Sequence, residues 1–207
     1  MFPVSCPKPA CASMLSGRRR SDIRVLQTTL GSPRRAEAEA FIRATFASHY
    51  GAQVPAFAPN LMLVEDDRGL LAATGWRCAG DAPLYLERYL DAPIEHSISR
   101  VAGHDVERTR IVEVGNLASA KAGTSLEVIL ALARHLDQLG YDWVTFTATR
   151  ALVGIFHRLR LPLLALATAN PERLGEEATA WGRYYDTAPI VVAGRIRMAL
   201  EQVRNHG

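Results

Sequence analysis

No stretch of this 207-residue chain approaches the roughly 18 consecutive apolar residues of a membrane-spanning helix. The longest candidate, Leu161 to Ala169, is short and contains Pro162, so no membrane span is expected. The N-terminus also lacks the order of a secretory signal. Pro3, Pro7 and Pro9 interrupt it, and Arg18, Arg19 and Arg20 follow the weakly apolar part instead of preceding it. Cysteine is scarce: Cys6, Cys11 and Cys78 have no metal-ligand spacing and leave an odd thiol, which fits a reduced, cytoplasmic compartment and no metal. No internal repeat is visible, and no nucleic-acid partner is expected.

What is present suffices for one hydrophobic core, with 48% of residues hydrophobic and 22% charged. Residues 1–20 read as a disordered basic tail and 21–207 as a single domain. Residues 1–35 carry a net charge of +6, which leaves −3 for the remainder. Such a basic end meets an acidic partner or is simply solvated, and Arg34 and Arg35 are the cations that an acidic partner would touch.

In chain order, Ile23 and Val25 alternate about Arg24 as a short first strand. A helix follows from Pro33, with Ala36, Ala40, Phe41, Ile42, Phe46 and Tyr50 on its apolar side and Gly51 closing it. Leu61–Glu65 and Leu70–Cys78 flank the turn Asp66-Asp67-Arg68-Gly69 as a β-hairpin. Small Ala72, Ala73 and Gly75 mark close packing. Leu84–Leu90 and Ile94–Val101 read as short helices, and Trp143–Ala148, Leu161–Ala167 and Ile190–Ala193 as strands. Arg150–Leu159 and Arg195–Arg204 are the last two helices.

The stretch Arg110–Gly140 organises the rest. Ile111, Val112 and Val114 form a strand that carries one carboxylate, Glu113, and ends in a bulge at Gly115 and Asn116. A charge inside such a strand is costly without a task or a partner. Residues Leu117–Ser125 are mostly small, and a helix with Leu126, Ile129, Leu130, Leu132 and Leu136 on one face runs from there to Gly140. Strand, small-residue loop and helix N-terminus together make either a phosphate cradle or an ordinary connection. The alternation of strands and helices predicts an α/β fold around one mixed sheet.

Five pieces carry a family resemblance: FIRATFASHYGA at Phe41, LYLERYLDAPIE at Leu84, RIVEVGNLA at Arg110, YDWVTFTATRAL at Tyr141 and WGRYYDTAPIVVAG at Trp181. With them the chain resembles the thermostable hemolysin family. That family is similar in turn to the acyl-homoserine lactone synthases, whose fold is GNAT-like: a mixed β-sheet flanked by helices. In those synthases the central strand carries a Glu, two residues, an Arg, an aromatic and a small residue. EVGNLA has related spacing, with Asn116 in place of the Arg and Leu117 in place of the aromatic. The loss of a permanent cation means that their amino-acid recognition does not carry over directly.

The resemblance implies an N-acyltransferase that moves a fatty acyl group from acyl-CoA or acyl carrier protein to a small-molecule amine acceptor. The pantetheine arm would lie between two splayed parallel strands, with its phosphate against Leu117, Ala118, Lys121, Gly123, Thr124 and Ser125. Glu113 is then the candidate base, or else the structural partner of Arg77 or Arg110. Asn116 either hydrogen-bonds the thioester carbonyl or serves as a turn residue. Phe156 falls where many such enzymes place a tyrosine that protonates the leaving thiolate, and His157 is a speculative substitute. Arg77, Tyr85 and Tyr185 are assigned to the substrate, and Glu87, Tyr89, Trp181 and Tyr184 line the same pocket or are core. Two other functions remain open: direct cytolysis, as the family's name suggests, and a non-catalytic binding module.

Overall fold

The computed structural model describes residues 23–120 and 126–206. Lys121, Gly123, Thr124 and Ser125, the tail 1–20 and the thiols Cys6 and Cys11 lie outside the described residues.

The described chain folds as strand β1 (Arg24–Thr28), helix α1 (Arg35–Tyr50), strands β2 (Asn60–Asp66) and β3 (Gly69–Cys78), helix α2 (Ile94–Ala102) and strand β4 (Ile111–Ser119). Helix α3 (Leu126–Gln138), strand β5 (Trp143–Ala148), helix α4 (Arg150–Arg158), strands β6 (Leu164–Thr168) and β7 (Ile190–Arg195) and helix α5 (Ile196–His206) complete it. The seven strands form one sheet in the order β1-β2-β3-β4-β5-β7-β6. All neighbours are antiparallel except β4 and β5, which are parallel and joined through α3. A crossover of this kind needs an intervening helix, because parallel strands cannot be closed by a tight turn.

Period-two alternation sends successive residues to opposite faces. Leu61 and Leu63 of β2 pack with Ala38, Ile42 and Phe46 of α1 and with Ile94 and Ile98 of α2. Met62 and Val64, from the same strand, pack with Val128, Leu132 and Leu136 of α3 and Ile196 of α5. Helices on both faces explain why β2 reads as a near-continuous apolar run. Gly75 permits one close approach in this packing, since a Cβ there would stand 2.9 Å from the Ala58 methyl.

Four expectations change. The segment after Leu84 is a 3-10 turn, Tyr85–Tyr89, not a longer helix. The last part of 161–167 is strand, but Leu161 to Leu163 are not: the Leu161 N–H closes onto the Phe156 carbonyl at 2.9 Å, and pairing begins at Leu164. β4 does not end at Asn116 but runs through the bulge to Ser119, paired with β3. Finally, Arg34 and Arg35 are not free surface cations. Arg34 is bound to Glu37 and Glu65, at 2.7 and 2.8 Å. Arg35 is buried against Glu39 and the carbonyls of Ala58 and Pro59. Through Glu65 and the Ala58 and Pro59 carbonyls the two side chains tie the start of α1 to β2 and to the segment before it.

Candidate active site

The site begins where two strands part. β4 and β5 pair only over Ile111–Glu113 and Trp143–Thr145. Beyond that, Gly115, Ala118 and Ser119 stay on β3, while Phe146, Thr147 and Ala148 stay on β7. The cause is local. Between Ala73 and Gly75 a single residue, Thr74, spans the two residues Asn116 and Leu117, and such a bulge bends and twists the strand that carries it. Thr74 Oγ1 donates to the Gly115 carbonyl at 2.8 Å, and Asn116 takes φ of 54°, a left-handed conformation that asparagine tolerates better than most residues.

A cavity of about 340 Å³ fills the gap and crosses the sheet. On one side its wall comes from Leu132 and Ala133 of α3 and from Leu152, Ile155 and Phe156 of α4; on the other, from Phe46, His49 and Tyr50 of α1. Its lining is mainly apolar. α4 has no fully buried residue: Leu152 and Phe156 pack against Phe146 and Val192 of the sheet and, with Ile155, also face this space. Thr149 caps α4 by accepting from the Leu152 N–H.

A smaller pocket of about 70 Å³ adjoins it on the α1 side, with Arg77, Tyr85, Tyr89, Glu113, Trp181 and Tyr185 around it. Phe46, Val114, Gly115, Asn116, Thr147 and Tyr184 line both spaces and form the junction. At that junction Asn116 Nδ2 is buried and has no hydrogen-bond partner among the described residues. A buried amide donor left unpaired in this way costs roughly 1–3 kcal/mol and is a functional signal.

Glu113 is 6% exposed. Its Oε2 accepts the Tyr85 N–H at 2.8 Å and its Oε1 the Leu86 N–H at 3.0 Å, while Arg77 Nε lies 3.4 Å away. The carboxylate thus sits at the N-terminus of the 3-10 turn and holds it to β4. Burial pushes its pKa up, against the pull of Arg77 and of the two N–H groups. Arg110 is not its partner but is paired with Asp142.

The aromatic wall is tied by hydrogen bonds. Tyr85 Oη donates to Glu177 at 2.6 Å and accepts from Trp181 Nε1 at 3.1 Å, and the hydroxyls of Tyr89 and Tyr185 are 2.6 Å apart. Burial raises the pKa of all three tyrosines. Tyr184, also desolvated, is pushed up to about 12, and its hydroxyl donates to Thr147 Oγ1 at 3.2 Å.

The structure therefore brings together Glu113, Asn116, Leu117, Phe156, Arg77, Tyr85 and Tyr185 around two joined spaces. It leaves out Ala118, whose methyl group is 1% exposed in the core on the α1 face. Glu87 also departs from its expected place. It accepts from Leu84 N, Ile94 N and Arg108, and so braces the 3-10 turn instead of lining the pocket. His157, the substitute for the missing tyrosine, is exposed on α4 and lines neither space. Thr147 was missed. The signal was the alternation in Trp143–Ala148, which places Thr145 and Thr147 on one face of β5.

The sequence profile described as thermostable hemolysin matches residues 28–200. The chain belongs to the thermostable hemolysin family. A search of curated proteins finds no match. Among solved structures, this hemolysin-family fold is similar to the acyl-homoserine lactone synthase LasI, with a TM-score of 0.56 at 12% identity over 87% of this chain and 95% of that one. It is similar to BjaI, a CoA-dependent acyl-homoserine lactone synthase solved with SAM and isopentyl-CoA, with 0.58 at 11% over 89% of each chain. It is also similar to FeeM, an N-acyl amino acid synthase from uncultured soil microbes, with 0.54 at 14% over 87% and 96%. The mixed sheet with its flanking helices is a GNAT-like fold. No helix among the described residues is long and apolar enough to cross a membrane.

Proposed function

We propose that this protein is an N-acyltransferase that moves a fatty acyl group from a pantetheine thioester to a small-molecule amine. The observation that carries the reading is the unpaired Asn116 Nδ2 at the point where an apolar cavity passes between β4 and β5. An acyl thioester has a long apolar body and one polar carbonyl; the cavity has a mainly apolar lining, and among the described residues the buried Asn116 amide offers it a donor with no other partner. The structural neighbours, which are acyl-homoserine lactone and N-acyl amino acid synthases, support the same class.

In this reading the thioester carbonyl rests against Asn116. The amine enters from the aromatic pocket, attacks the carbonyl carbon, and the resulting oxyanion strengthens its bond to Nδ2. Leu117 and Phe156 hold the arm of the donor, while Arg77, Tyr85 and Tyr185 meet the acceptor. Glu113 is the anionic group of the acceptor pocket and takes the proton that the amine releases; its raised pKa suits that task. CoA and acyl carrier protein both supply the required arm. Phosphate recognition is assigned to Lys121, Gly123, Thr124 and Ser125.

The test compares wild type with Asn116→Asp and Asn116→Gly, both of which accept the left-handed backbone at this position. Each removes the donor, and Asp adds a repelling charge. Transfer from octanoyl-CoA to an amine should fall on the order of a hundredfold. Full activity in both variants would reject the reading.

A further inference from the structure

Phe156 faces the cavity without a hydroxyl, so on the acyltransferase reading the departing thiolate has no acid on α4. Across the gap there is a hydroxyl pair. The last β4–β5 pair is Glu113 with Thr145; beyond it Asn116 on β4 and Thr147 on β5 both line the opening, one from each of the parted strands. Thr147 Oγ1 accepts from Tyr184, and among the described residues its own proton has no acceptor. Thr147 lines both spaces, as does Tyr184, which is 9% exposed. The Tyr184 ring is fixed by Phe46, Tyr50, Trp181 and Tyr185, with centroids 5.3 to 6.3 Å away.

We propose that Thr147 and Tyr184 form a proton relay that protonates the leaving sulfur, an inference that rests on the acyltransferase reading. Amine attack forms the C–N bond, and collapse of the tetrahedral intermediate breaks the C–S bond with its electron pair leaving on sulfur. Thr147 Oγ1–H gives its proton to that sulfur and takes one from Tyr184 Oη. The tyrosinate recovers a proton from solvent, into which the proton of the attacking amine is finally released. The balance is amine plus thioester to amide plus thiol. The site thus splits its work between two strands: the carbonyl is held from β4, and the sulfur is served from β5.

Tyr184→Phe and Thr147→Val remove one hydroxyl each and keep the ring and the branched shape. The assay measures hydroxamate from hydroxylamine, a small nucleophile that needs no tailored acceptor site, with octanoyl-CoA and with its selenoester analogue. The selenolate is a weaker base and leaves without a proton. After subtraction of the enzyme-free rate, both variants should lose roughly tenfold or more with octanoyl-CoA and less than about threefold with the selenoester. A structural role would lower both rates together. Equal losses on the two esters, loss in only one variant, or no loss at all would overturn the relay while leaving the transferase reading intact. Absence of hydroxamate from either ester in wild type would overturn both.

Discussion

Replacing Glu113 by glutamine tests how the acceptor pocket is built. The side chain keeps its size but loses its charge, and one of two accepting oxygens becomes an NH2 group. In the wild type those oxygens hold the N–H groups of Tyr85 and Leu86 at 2.8 and 3.0 Å, and Arg77 stands 3.4 Å away. Glutamine can satisfy one N–H and faces the other with a donor. A buried N–H without a partner costs about 1–3 kcal/mol, and Arg77 also loses its counterion. Relief from burying a carboxylate works the other way, since that burial is what raises the pKa of Glu113. A net loss of about 1–3 kcal/mol follows. In a domain of this size the melting temperature should drop by roughly 2–12 °C, at about 2–4 °C per kcal/mol. Thermal melts at pH 7, followed by circular dichroism, measure it. An unchanged or higher midpoint would refute the claim that Glu113 anchors the 3-10 turn. Well below the midpoint, acyl transfer should fall by roughly a hundredfold; full activity would leave Glu113 an anchor and nothing more.

Other consequences can be measured separately. Burial alone would raise the pKa of Glu87, but Arg108 and the N–H groups of Ile94 and Leu84 bring it below the ordinary value. Its stabilisation is therefore present above about pH 4.3 and lost as pH falls through the lower folded value. The midpoint gap between wild type and Glu87→Gln should narrow below about pH 4, and a gap constant with pH would contradict this. Gly182→Ala would push a methyl into the Tyr50 carbonyl at φ of 54° and should destabilise by about 2 kcal/mol or more in urea unfolding; a neutral result would mean that the aromatic wall does not depend on this close approach. Purified protein without thioester should release no dye from liposomes, and dose-dependent release would favour direct lysis.

Much of the fold was legible because it rests on periodicity. α1, the hairpin, α3 and β5 each repeat their apolar residues at the spacing of a helix or strand, and tertiary packing agrees with it. The bulge was half legible. Gly115 and Asn116 announce a break, but only pairing with β3 keeps the strand running to Ser119. Charge was read least well. Arg34 and Arg35 resemble a solvated pair in sequence, yet Glu65 and the Ala58 and Pro59 carbonyls, more than 20 residues away, engage them. The partner of Glu113 was narrowed to Arg77 or Arg110, and antiparallel register, invisible in one chain, decides for Arg77. The junction of Thr147 and Tyr184 joins residues 37 positions apart that carry no local pattern.

The central claim is that an acyl thioester lies between β4 and β5 and gives its acyl group to an amine. Mass spectrometry of lipids from cells making the wild-type chain, the Asn116→Asp variant or neither tests it most directly. The account predicts an acylated amine that appears with the wild type and falls on the order of a hundredfold with the variant. Identical lipid profiles with and without the wild-type protein would contradict it.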